Sequence, residues 1–180
     1  WQSAAAILFL LLASSVYLST VGTKAETDLL QQYIPIAEMR SLTLPDGTKV
    51  QLNSKSTLLY PHEFTGDSRS VFLLGEANFK VKPDKKRPFI VKSNDLQITA
   101  LGTEFNVSAY PESQEIATTL ISGSIRVDYN NLTTSVILHP NEQFAYNRNN
   151  KKYDLSNPDM DDVTAWQRGE LVLQKMTLTD

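Results

Sequence analysis

Beyond about residue 34, apolar and polar side chains alternate one for one along much of this chain. A period of two is what a β-strand with one buried face requires. Phe79 and Val81 alternate with Lys80 and Lys82, and Phe105, Val107 and Ala109 alternate with Asn106 and Ser108. The same texture predicts strands at Arg40–Leu44, Lys49–Asn53, Val71–Leu74, Ala77–Val81, Phe89–Lys92, Leu96–Leu101, Phe105–Ala109, Ile116–Ile121, Ile125–Tyr129, Ser135–Leu138 and Gln143–Tyr146. No convincing amphipathic helix interrupts them between Ile34 and Lys152.

Turn residues separate these runs. Pro45-Asp46-Gly47 stands between two of them; proline pre-sets φ at the first central turn position and glycine tolerates positive φ, so a hairpin is expected there. Gly75, Gly102 and Gly123 likewise sit between strand-like runs. The expected domain is mainly β: stacked antiparallel hairpins in a twisted two-layer sandwich or a solenoid-like arrangement. Near the C-terminus, Asn157-Pro158-Asp159 with Asp161 and Asp162 reads as a helix start ahead of Val163–Trp166. A strand-like Glu170–Gln174 follows Gly169.

Charge is distributed unevenly. All 17 Lys and Arg and all 20 Asp and Glu lie at or after Lys24. The uncharged head contains the apolar run Ala4–Ala13, and Ala4 to Gly22 as a helix would rise roughly 28 Å, close to the thickness of a bilayer's hydrocarbon core. Residues 1–23 are therefore read as one transmembrane helix preceding the β-domain. A secretory signal peptide would show a basic flank and a shorter apolar core. The start at Trp1 is read as a fragment's, with something expected ahead of the helix. Residues 24–33 are read as a juxtamembrane linker, 34–155 as the β-domain, and 156–180 as a linker with the start of a truncated small α/β domain.

Chemistry-bearing residues are sparse. Cysteine is absent, which removes disulfides, thiolate zinc sites and cysteine nucleophiles. The two histidines, His62 and His139, each adjoin a proline and have no ligand-spaced partner. Asp161-Asp162 is better matched to a helix N-terminus than to a cation. Glu76 and Glu104 are the only hint of a glycosidase-like carboxylate pair, and nothing in the sequence places them face to face. Lys80, Lys82, Lys85, Lys86 and Arg87 read as a solvated hairpin tip turning at Pro83-Asp84, with a patch for an acidic partner or for lipid headgroups as the alternative. A net charge of -3 gives no basic excess for nucleic acid. No catalytic, metal-binding or cofactor-binding residue is expected, and recognition is favoured over catalysis.

With the motifs set out, a resemblance appears. Leu44-Pro45-Asp46-Gly47-Thr48 with Leu52-Asn53 and Ser56 resembles the opening signature of the FecR family of transmembrane anti-sigma regulators. Further blocks follow in order: Arg69 and Val71-Phe72-Leu73; Gly75-Glu76-Ala77-Asn78-Phe79-Lys80-Val81; Arg87-Pro88-Phe89-Ile90-Val91; Leu101-Gly102-Thr103-Glu104-Phe105-Asn106-Val107; Gly123-Ser124-Ile125-Arg126-Val127; and Pro140-Asn141-Glu142-Gln143. Thr48 stands where the family commonly has serine. Trp166–Leu173 resembles the start of the small α/β domain that often follows in Bacteroidetes-type members.

The resemblance implies a single-pass protein of the bacterial inner membrane, with its β-domain in the periplasm. Its partners would be the signalling domain of an outer-membrane TonB-dependent transporter sensing iron complexes or glycans, and an extracytoplasmic-function (ECF) sigma factor bound through a cytoplasmic part missing here. It would have no enzymatic activity, no cofactor and no direct contact with nucleic acid. The family-motif positions Pro45, Asp46, Gly47, Asn53, Gly75, Glu76, Phe79, Pro88, Phe89, Gly102, Thr103, Phe105, Asn106, Val107 and Gly123 are expected to be structural turns and strands. A membrane-anchored carbohydrate- or envelope-binding module, using Tyr60, Tyr110 and Tyr129 as exposed aromatics, is the alternative.

Overall fold

The computed structural model describes residues 12–15 and 28–170. The described residues form a 13-stranded sheet. Its strands are β1 (Leu29–Tyr33), β2 (Arg40–Thr43), β3 (Lys49–Leu52), β4 (Thr57–Pro61), β5 (Arg69–Lys80), β6 (Phe89–Lys92), β7 (Gln97–Ala100), β8 (Glu104–Ala109), β9 (Glu115–Ser122), β10 (Ile125–Tyr129), β11 (Thr134–Leu138), β12 (Gln143–Asn147) and β13 (Tyr153–Ser156).

Strand β5, 12 residues long, belongs to both halves of the sheet. Its first part pairs with β4 and with β6, the latter in parallel, and that half continues through β7 and β10 to β11, with β1 beyond β4. Its second part pairs with β3 and β8, and this other half continues through β9 and β12 to β13, with β2 beyond β3. The two halves curl to face each other. Phe79 of one lies 5.9 Å from Phe89 of the other, and Tyr129 of one lies 5.3 Å from Phe144 of the other.

The inward alternation is borne out: Phe79, Phe89, Phe105, Val107, Ile98 and Val127 are fully buried in a shared core. The seam glycines acquire a specific role, because the chain passes between the halves at Gly75, Gly102 and Gly123, all with positive φ. Ala37, Lys55 and Asn141 take the same left-handed conformation at other such passages. At Gly75 glycine is obligatory: φ is 99°, and a Cβ would meet Ser56 Oγ at 2.5 Å and Ser56 Cα at 2.7 Å.

Two expectations need correction, and an edge strand is added that the sequence did not suggest. Leu29–Tyr33, read as the end of a linker, is strand β1, paired along its length with β4. The basic segment after β5 is no hairpin tip, because β5 and β6 run parallel and residues 81–88 cross from one half to the other. Asp84 organises that crossing: its carboxylate accepts the N–H groups of Lys86 and Arg87 and pairs with Arg87 Nε at 3.1 Å. Tyr153–Ser156, at the end of the expected β-domain, adds edge strand β13.

The expected helix start is present. Asp159 caps α1 (Met160–Thr164) by accepting the Asp161 N–H at 2.9 Å, and Asp161 and Asp162 occupy its first turn. A 3-10 turn follows at Ala165–Arg168. This segment lies on the outer face of the second half, where Gln51 Nε2 donates to the Gln167 carbonyl at 3.1 Å. No helix among the described residues is long and apolar enough to cross a membrane. The span expected at 1–23, apart from helical residues 12–15, and the elements expected beyond Glu170 lie outside the described residues.

Candidate functional site: two buried polar staples

The residues singled out by the motifs gather into two buried polar clusters and one aromatic stack. The first cluster closes the curl of the sheet. In the Pro45-Asp46-Gly47-Thr48 turn between β2 and β3, Asp46 Oδ1 accepts the Thr48 N–H at 2.9 Å, and Oδ2 accepts the Thr48 hydroxyl at 2.7 Å. The same Oδ2 receives Arg69 Nη1 at 2.7 Å, the two side chains being 4% and 1% exposed. Arg69 also donates to the carbonyls of Lys82 and Arg87, at 2.8 and 2.9 Å, and its guanidinium lies over the Phe89 ring. The Thr48 hydroxyl in turn accepts the Lys82 N–H at 3.1 Å. Threonine therefore serves fully at this turn, and its hydroxyl both donates and accepts.

The second cluster sits where β5 changes halves. Ser56 Oγ accepts the Glu76 N–H at 2.8 Å and donates back to the Glu76 carbonyl at 3.0 Å. The Glu76 carboxylate takes one amide donor on each oxygen, Asn106 Nδ2 at 2.9 Å and Asn53 Nδ2 at 2.8 Å. Burial pushes its carboxyl above the ordinary value, while the two amides pull it the other way. Nearby, the Tyr110 phenol is pushed up to about 12, first by burial and then by the Glu76 charge, and it donates to the Ser54 carbonyl at 3.0 Å.

The remaining motif positions support these clusters. Phe79 stacks on Phe105 at 5.4 Å and leans on Phe89, and the Pro88 carbonyl accepts the Arg69 N–H at 2.8 Å. The Thr103 carbonyl accepts the Val81 N–H at 2.9 Å, and the Thr103 methyl occupies the space a Cβ on Gly123 would need. Gly47 and Gly102 supply positive φ at their turns, and Val107 fills the core.

Other candidates are kept apart. Glu104 pairs with Lys80 at 3.2 Å while Glu76 is held by its two asparagines, so the two carboxylates do not work as a pair. His62 and His139 are both exposed. Among the described residues, no group of three or more His, Cys, Asp or Glu side chains could hold a metal. The aromatics of the carbohydrate alternative form no exposed platform: Tyr129 is buried at 5% exposure, Tyr60 packs against the core, and the Tyr110 hydroxyl bonds the backbone.

Arg69 and Ser56 complete the two staples, yet among the motif residues neither was marked out as a site. Arg69 stands between two serines ahead of the apolar run Val71–Leu74, and nothing local in the sequence marks it as buried.

Comparison with known proteins agrees with this placement. The profile of the family described as FecR protein matches residues 34–126, the stretch that contains both staples. Two crystal structures from Parabacteroides distasonis ATCC 8503, each of a protein described as a candidate anti-sigma factor, superpose with TM-scores of 0.76 and 0.75 at 39% and 38% identity. They match 79% and 78% of this chain, which spans less than two thirds of their length, 66% and 65%. No curated protein matches the chain significantly.

Proposed function

The chain belongs to the FecR family of anti-sigma factors, and from this we propose that it relays a signal from an outer-membrane TonB-dependent transporter to a cytoplasmic ECF sigma factor. In this reading residues 1–23 anchor the protein in the bacterial inner membrane. The β-domain lies in the periplasm and receives the transporter's signalling domain, and a cytoplasmic part outside this chain engages the sigma factor. The protein acts as a regulator without catalysis of its own.

The observation that carries the reading is the family match over residues 34–126 together with close superposition on proteins described as candidate anti-sigma factors. The staples fit a receiving scaffold. Their carboxylates are committed to arginine and asparagine donors, which stiffens the curled sheet and leaves its faces and edges for recognition.

The test is capture of transporter signalling domains by the protein from Lys24 to its natural C-terminus, alongside a sigma-dependent reporter in cells. The reading expects one signalling domain to be retained, and reporter output to change when the regulator is deleted. Failure of every signalling domain to bind, with an unchanged reporter, would overturn it.

A further inference from the structure

The outer face of the second half carries two neighbouring rows of side chains, of which Asn106 alone serves a staple. In one row Gln51, Asn78 and Asn106 stand opposite one another across β3, β5 and β8. In the next, Thr43, Lys49, Lys80 and Glu104 do the same across β2, β3, β5 and β8. Lys49 and Lys80 are thus direct cross-strand partners, an arrangement of like charges that repels unless an anion lies between them. Glu104 answers Lys80 at 3.2 Å, and Lys49 has no ion-pair partner among the described residues. One ammonium is left over.

These rows floor a cavity of about 520 Å³, walled by β2 on one side and Gln167 of the 3-10 turn on the other. Two buried amide donors line it without a hydrogen-bond partner among the described residues: Asn78 Nδ2, on a residue only 5% exposed, and Gln167 Nε2. A buried donor with no acceptor carries the cost of its desolvation, so an acceptor entering the pocket is favoured there; Asn106 Oδ1, opposite Asn78, is likewise without a partner among the described residues. Two N–H donors beside an uncompensated ammonium match one group best, a carboxylate, whose two oxygens accept several hydrogen bonds and carry the missing charge.

We infer that this cavity is a carboxylate-binding site and that the carboxylate is the side chain of an Asp or Glu in a protein partner. The cavity faces outward between β2 and the 3-10 turn, so an acidic side chain of a partner lying across this face can enter it from above, where the unanswered Lys49 ammonium supplies the complementary charge. Assigning the carboxylate to a protein rests on the proposed relay, whereas the chemistry of the cavity does not.

The experiment uses the full chain labelled with ¹⁵N and follows the side-chain amide signals of Asn78 and Gln167. The probes are N-acetylglutamate α-amide, its uncharged glutamine counterpart, and N-acetylalanine, which has only a terminal carboxylate. The expected result is a saturable shift of both amides with the glutamate probe and none with the glutamine probe. Lys49→Glu, at an exposed position, should weaken that response by about tenfold or more. Gln167→Leu, on the surface turn, should weaken it too and stands in if Lys49→Glu does not fold.

Equal responses to the glutamate and glutamine probes, no saturable shift with any probe, or unaltered binding in folded variants would overturn the site. A response to N-acetylalanine alone would overturn the side-chain assignment in favour of a chain terminus. Probe binding without capture of any transporter domain keeps the site and discards the relay, so the two failures are separable.

Discussion

Arg69, the first residue of β5, donates from Nη1 to the carbonyl of Lys82, two residues past the strand's far end, at 2.8 Å. A straight strand would hold those residues roughly 40 Å apart. The contact measures how far the strand curls round the core, and it explains why the motif residues cluster where they do. One staple, at Ser56 and Glu76, holds the corner where the strand bends; the other, at Asp46 and Arg69, holds the two ends that the bend brings together.

Gly75→Ala tests the corner. The left-handed φ of 99° and the approach of Ser56 to 2.5 Å leave no room for a methyl group. The expected loss is about 2 kcal/mol or more in urea denaturation. Ser56→Gly on the same background should not restore stability, since the Ser56 Cα is itself 2.7 Å from the added Cβ. Gly66→Ala, where nothing lies within 4 Å, should be close to neutral.

The pH dependence of Glu76 has a definite sign. Burial raises its folded pKa above the 4.5 of an exposed glutamate. Between those two values the folded state binds more protons than the unfolded state, so this contribution to stability falls as pH rises through the window. Wild type should therefore gain stability relative to Glu76→Gln as the pH is lowered from 8 towards 5, read from paired urea midpoints. A difference that stays constant or moves the other way would show that the two asparagine donors outweigh burial.

The aromatic stack should dominate the core. Phe79 is fully buried between Phe89 and Phe105, and Phe79→Ala should cost about 3–5 kcal/mol. Leu155→Ala, half-exposed on edge strand β13, should cost under about 1 kcal/mol. Thermal or urea unfolding of both variants checks the contrast.

Much of this fold was legible because a buried face writes a period of two into the chain, as at Phe105, Val107 and Ala109. Strands without such a face were not. β1 and β13 are edge strands whose side chains are largely exposed, so Gln31, Gln32 and Asp154 cost nothing there and leave no alternation to find. β4 was hidden by its short run ending at Pro61. The parallel pairing of β5 with β6 left no local trace either, and the lysine-rich crossing imitated a hairpin tip. For the sites, Asp46 and Glu76 stood out by their turn and their motif. Their partners Arg69 and Ser56 lie 23 and 20 residues away, a proximity created only by the curl.

The most direct measurement of this account is a double-mutant cycle on Asp46 and Arg69. Breaking a buried ion pair from one side leaves the other charge unanswered, so Asp46→Asn and Arg69→Met should each destabilise the chain, by up to about 3–5 kcal/mol. If the pair closes the curl as one unit, the double variant should lose far less than the sum, with a coupling of about 2–3 kcal/mol from urea denaturation. A coupling below about 0.5 kcal/mol would mean that the two residues stabilise the sheet separately, and would contradict the account.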